Sequence, residues 1–87
     1  MAKFLCDVVT PTAILMSDEA YMVVVPGVEG EMGIMAGHAP TVSALADGTL
    51  RIQRENGGEF EVYNVRGGYV EVTADKTIVL ADECSRA

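Results

Sequence analysis

Basic residues are scarce in this sequence. Its 87 residues carry six Lys and Arg against thirteen Asp and Glu, a formal net charge of −7, and Lys3 is the only base among the first fifty. A phosphate backbone is bound by clustered Lys and Arg, so the composition argues against nucleic acid as a partner. It disfavours direct adsorption to an anionic lipid surface for the same reason.

Cysteine and histidine are scarcer still. The two cysteines, Cys6 and Cys84, lie near opposite ends of the chain, with no CxxC spacing and no neighbouring His, so no metal site is expected. Free thiols are expected in a cytosolic setting, although a bridge between them would close a long loop. His38 is the only histidine, and nothing nominates Ser17, Ser43 or Ser85 as its nucleophile. The acids are scattered at strand and turn positions. No catalytic residue and no cofactor are therefore expected.

Long apolar runs are absent too. None approaches the roughly 20 residues that span a bilayer, and Asp7 interrupts any signal-peptide core. Cytosolic residence is the expectation.

What is present is a folding sequence, 49% apolar. A chain this short makes one domain, residues 1–87, and buries only about two-thirds of its unfolded surface. A partner would add to its stability.

Strand patterns dominate. Runs are expected over 4–9, 12–16 and 20–25, the last closed by a tight turn with Pro26 at its second position and Gly27 at its third. Thr49 to Gln53 alternates, with Leu50 and Ile52 on one face. Asn56-Gly57 follows as a hairpin signal, since both residues tolerate positive φ. In Glu59 to Tyr63 the alternation places Phe60 and Val62 inward. Gly67-Gly68 is read as a break before Val70 and Val72, and Thr77 to Ala81 as a last strand with Ile78 and Leu80 on one face. Turn signals every eight to twelve residues favour an all-β sandwich or barrel. No window has helical periodicity.

Between Gly27 and Gly37 the glycine-rich stretch invites a phosphate-loop reading, which fails. No Lys-Ser/Thr follows the last glycine, no helix follows, and Glu29 and Glu31 would repel phosphate. Its apolar residues, Met32, Ile34 and Met35, either fold back into a core or await a partner. Lys76 raises a second alternative, because lipoyl and biotinyl carrier domains are acidic sandwiches that present one lysine on a hairpin tip. Their lysine falls near mid-chain between two similar halves, whereas Lys76 lies near the end without matching halves. A generic β-sandwich adaptor is the third possibility.

The stretch from Val24 to Ile34, followed by Gly37-His38-Ala39-Pro40, closely resembles the epsilon subunit of bacterial F-type ATP synthases. Gly48-Thr49-Leu50-Arg51-Ile52, Gly67-Gly68-Tyr69-Val70-Glu71-Val72 and Val79-Leu80-Ala81-Asp82-Glu83 fit the same family in order. The resemblance implies a flattened β-sandwich of two five-stranded sheets. It implies a non-catalytic central-stalk rotor subunit, monomeric when isolated, that couples the gamma subunit to the ring of c subunits of a proton- or sodium-translocating enzyme. The expected location is peripheral, on the cytoplasmic face of the cell membrane, with membrane contact only through the ring. Glu29, Gly30, Glu31 and Met32 would face the polar loops of the c ring, and His38, Pro40, Thr41 and Val42 would lie near gamma.

Two residues depart from the family pattern. Ala36 stands where proline is common, leaving the approach to Gly37 less rigid. Met32 replaces Phe or Leu at similar volume. Most family members continue into a two-helix hairpin that can inhibit ATP hydrolysis and in some binds ATP. Such a hairpin would begin near Ser85-Arg86-Ala87, so neither ATP binding nor helix-mediated inhibition is expected of these residues.

Overall fold

The computed structural model describes residues 2–87, and these hold eight strands and no helix. They are β1 (Phe4–Thr10), β2 (Ala13–Ala20), β3 (Met22–Gly27), β4 (Gly30–Met35), β5 (Thr41–Ala44), β6 (Gly48–Gln53), β7 (Phe60–Val72) and β8 (Lys76–Arg86). Hydrogen bonds join them in the order β2-β1-β8-β7-β6-β3-β4, with β5 attached to β7. All pairings are antiparallel except β1 with β8, which run parallel.

The fold is all-β, but the strands form one mixed ladder of eight where two five-stranded sheets were expected. The reason lies in β7 and β8, which are 13 and 11 residues long. The first half of β7 pairs with β6 and its second half with β5, while β8 follows it from Tyr63 to Val72. Gly67-Gly68, read as a break, is a bend inside a continuous strand. Their φ values of 62° and 114° let the chain turn without leaving the ladder. A Cβ on Gly68 would stand 1.9 Å from the Leu80 carbonyl oxygen, so this corner admits no side chain.

Residues from both sides of the corner close over one core. Cys6, Val8, Val70, Val72 and Val79 meet Val23, Val25, Ile34, Leu50, Ile52, Tyr63 and Val65 in a single buried cluster. Full burial of a side chain such as Ile52 or Leu50 contributes about 2 kcal/mol. The principal extents, 31 × 24 × 22 Å, are too even for a flattened shape.

Several local expectations give way to tertiary pairing. Ser17, Asp18 and Glu19 continue β2, and a break falls at Tyr21, inside the run expected over 20–25. The 56–57 hairpin is longer than two residues, spanning 54–59, and only Gly57 has positive φ. In β7 it is Tyr63 and Val65 that point inward, leaving Phe60 exposed. In β8 the inward residues are Thr77, Val79 and Ala81, so the face that Ile78 and Leu80 share is the outer one.

One end of the fold is held by charge. Arg54 Nη1 donates to Asp18 Oδ2 at 2.8 Å, and its Nη2 to Glu61 Oε1 at 3.3 Å. It thereby joins β2 to β7, which share no backbone ladder. Arg86 lies 5.3 Å over the Tyr63 ring and 3.6 Å from Glu61.

Candidate functional site

Strands β3 and β4 make the hairpin that the glycine-rich stretch becomes. Gly27 pairs with Gly30, so the two turn residues are Val28 and Glu29, two residues beyond the Pro26-Gly27 turn expected from sequence. Both flanking glycines are required. Gly30 sits at φ 129°, and a Cβ on Gly27 would come within 2.8 Å of the Gly30 carbonyl oxygen. Val28 and Glu29 stand in solvent, and Glu29 has no side-chain partner among the described residues.

Along β4 the side chains divide. Ile34 is fully buried and Met32 is half-buried against the core, while Glu31 and Met35 are exposed. Glu31 Oε1 accepts a hydrogen bond from Arg51 Nη2 at 3.0 Å, reaching from β4 to β6 over the intervening β3. Arg51 was not nominated from sequence, since 20 residues separate the partners and only strand order brings them together.

The segment that follows holds the other nominated residues. His38 is half-buried, and its Nδ1 lies 2.7 Å from the Ala39 carbonyl, which Thr41 Oγ1 also approaches at 2.9 Å. The ring thus braces its own turn, and no described nucleophile or carboxylate bonds to it. Pro40 is exposed. Thr41 stands opposite buried Val72, on the core side, whereas Val42 is 69% exposed on the outer side.

Val42 borders a feature that sequence reasoning missed. In register across five strands, Ile14, Val9, Leu80, Tyr69 and Ala44 form one apolar row on an outer face. Ile14 is 73% exposed, Tyr69 59% and Leu80 49%. A shallow depression of about 230 Å³ opens beside them, lined by Val9, Thr10, Pro11, Tyr69, Leu80 and Asp82. A contiguous apolar patch on a small acidic domain marks an interaction surface. The signal was available in Ile78 and Leu80, but alternation alone does not say which of two apolar faces is the inner one.

The acidic turn and the apolar row share a boundary. Val28 N–H donates to the Ala44 carbonyl at 3.1 Å, and Ala46 N–H to that of Pro26 at 2.7 Å. Lys76 lies elsewhere, at the base of the β7–β8 turn, with its Nζ 2.8 Å from Asp7 Oδ2. It is no free hairpin-tip lysine of the carrier kind. Among the described residues no cluster of three His, Cys, Asp or Glu is placed to hold a metal ion.

A family model described as the ATP synthase delta/epsilon chain, beta-sandwich domain, matches residues 3–87. The chain belongs to this family. It is 46% identical over 87 residues to the ATP synthase epsilon chain of Chromohalobacter salexigens, covering all of this chain and 61% of that one. It is also 46% identical over 83 residues to the sodium-ion-specific ATP synthase epsilon chain of Propionigenium modestum, covering 95% and 59%. The chain spans about three-fifths of the length of the curated relatives it matches. A chain in the cryo-EM structure of the Euglena gracilis mitochondrial ATP synthase OSCP/F1/c-ring superposes with a TM-score of 0.90 at 26% identity, over 99% of this chain and 54% of that one. A chain of the Tetrahymena thermophila mitochondrial ATP synthase central stalk/c-ring shares the fold, with a TM-score of 0.82 at 18% identity, over 98% and 67%. As a delta/epsilon-family sandwich, the domain has its ladder folded over one core in the way described above.

Proposed function

We propose that these residues form the sandwich domain of a non-catalytic central-stalk rotor subunit that couples the gamma subunit of an ATP synthase to its ring of c subunits. The observation that carries this reading is the joint at Val28 and Ala44. It fixes an open acidic turn to one end of an apolar row, so that two different surfaces belong to one rigid body.

The surfaces differ in chemistry as the two partners would require. At the turn, Glu29, Gly30 and Glu31 offer carboxylates and bare backbone to polar loops of the ring, with Met32 braced behind them against the core. Charge-assisted hydrogen bonds to cationic loop residues fix register and give a salt-sensitive contact. The apolar row with Val42 supplies the buried area of a gamma interface of ordinary size, about 800 Å² per partner. His38, Pro40 and Thr41 flank that face and shape its border. A close-packed core transmits torque between the two because it has little room to deform.

We read the ladder as two layers of five strand segments that meet at the Gly67-Gly68 corner, the apolar row lying on one and Glu31 on the other. The described residues hold no helix, and we assign to them neither ATP binding nor helix-mediated inhibition. The domain sits at the cytoplasmic face of the membrane and touches it only through the ring of an enzyme that translocates protons or sodium.

The test is reconstitution of subunit-depleted ATP synthase with surface variants of the complete subunit. Glu31→Lys weakens ring contact in a salt-sensitive way and leaves gamma binding intact, and Tyr69→Glu does the reverse. Full gamma and ring affinity in both variants would overturn the assignment.

A further inference from the structure

The Arg51–Glu31 pair has a geometry that an incidental surface contact does not need. Arg51 faces outward from β6, and the register places Val24 and then Gly33 beside it toward the free edge of the sheet. Gly33 has no side chain, and the space where one would stand is open, so nothing on β4 obstructs the path toward Glu31. The Nε of Arg51 is buried without a hydrogen-bond partner, while the side chain as a whole remains 38% exposed. The stem is thus pressed onto the sheet and the tip emerges in a set direction. A guanidinium with one donor already sealed from water gains more from the acceptor at its tip than a fully hydrated one would.

On the other side of the contact only one carboxylate oxygen is used. Oε1 of Glu31 takes the Arg51 bond, and no described residue bonds Oε2. Glu31 can therefore stay with Arg51 and still accept from a partner.

We propose that Arg51 is a positioning residue for Glu31. It aims the free Oε2 of Glu31 at a cationic side chain of the partner loop, and the two residues act as one recognition unit. The proposal rests on the reading that Glu31 meets the c ring. A cationic partner side chain beside a hydrogen-bond acceptor fits the unit best, because the outer guanidinium N–H groups of Arg51 lie beside the carboxylate. A partner offering only acidic groups is rejected by the exposed Oε2 and by Glu29.

The experiment is a double-mutant cycle read as affinity. The complete subunit in complex with gamma is titrated onto immobilised c ring as wild type, Arg51→Gln, Glu31→Gln and the double variant, with thermal melts in parallel. An exposed ion pair supports an effect of about three- to five-fold, and this weakening is expected for Arg51→Gln when Glu31 is present. In the Glu31→Gln background the same substitution is expected to change affinity by less than about 1.5-fold, because independent sites add and coupled ones do not. Arg51→Lys, which keeps the charge and loses the fork, recovers part of the loss. Equal effects of Arg51→Gln in the two backgrounds, or none in either, would overturn the positioning role. If Glu31→Gln itself binds the ring as wild type does, it is the underlying ring assignment that fails, and the two failures are told apart by that single variant.

Discussion

The backbone N–H of Val28 reaches the carbonyl of Ala44 at 3.1 Å, a bond between the tip of the β3–β4 hairpin and the end of the short edge strand β5. Neither residue belongs to a regular ladder with the other, yet this bond fixes the angle between tip and apolar face. The Val28 amide should therefore exchange with deuterium more slowly than the neighbouring Glu29 amide in the isolated domain. Equal rates measured by NMR would show that the tip moves independently of the face.

Of the glycines, Gly68 is the least open to change. Gly68→Ala forces a Cβ onto the Leu80 carbonyl at a φ of 114°, and should cost more than about 3 kcal/mol in urea unfolding. Gly33→Ala is the control, since a Cβ there meets nothing within 4 Å, and it should shift stability by less than about 1 kcal/mol.

On the apolar row, Tyr69→Glu and Val42→Glu should each leave the melting temperature near that of wild type, because both side chains stand in solvent. Both should weaken gamma binding by about ten-fold or more, the scale of a buried interface position given a charge. A pull-down in which both variants bind normally places the gamma contact on another face.

Acid should destabilise the fold through Glu61 and Asp7. The hydrogen bond from Arg54 holds the Glu61 carboxyl below its ordinary value of 4.5, and hydrogen bonds from Lys76 and Ser17 hold Asp7 below 3.8. A folded-state pKa below the unfolded one means that the unfolded chain takes up protons first. The stabilisation is thus complete above the ordinary values and disappears as pH falls through the lowered ones. Glu61→Gln should accordingly be less stable than wild type at neutral pH, and its melting temperature should fall less between about pH 5 and pH 2. Parallel curves for the two proteins would remove Glu61 from the acid transition.

The thiols should differ in reactivity. Burial pushes the Cys6 thiol up to about 12, with the nearby Asp7 charge adding to the effect. Cys84, half-buried, is raised by desolvation alone. Alkylation at pH 8 should modify Cys84 first, and Cys6 only at the rate of unfolding. Rapid modification of Cys6 under native conditions would place it outside the core.

How far the sequence discloses this structure depends on which residues surround each strand. Leu50 and Ile52, like Val70 and Val72, were legible as pairs sharing a face because polar neighbours separate them, and in the structure that face is the inner one. Whether the shared face of Ile78 and Leu80 is inner or outer was not legible, since Val79 between them is as apolar as they are, and both faces of β8 are used. The turn at Val28-Glu29 lies two residues past the Pro-Gly signal because pairing of Gly27 with Gly30 overrides local turn preference. Gly67-Gly68 signals a backbone change without saying whether the strand stops or bends. The acidic tip and His38 were legible as motifs by resemblance. The bonds from Arg51 to Glu31 and from Val28 to Ala44 were not, because strand order sets them and strand order is long-range information.

The parallel pairing of β1 with β8 brings Leu5–Val9 alongside Lys76–Leu80 in the middle of the ladder. During synthesis the first of these segments leaves the ribosome some seventy residues ahead of its neighbour. No amino-terminal fragment can complete the ladder, and the early strands must wait with an open edge until β8 emerges. Folding should thus be late, abrupt and slow for so small a domain, and a nascent chain held short of β8 should be a ready substrate for chaperones.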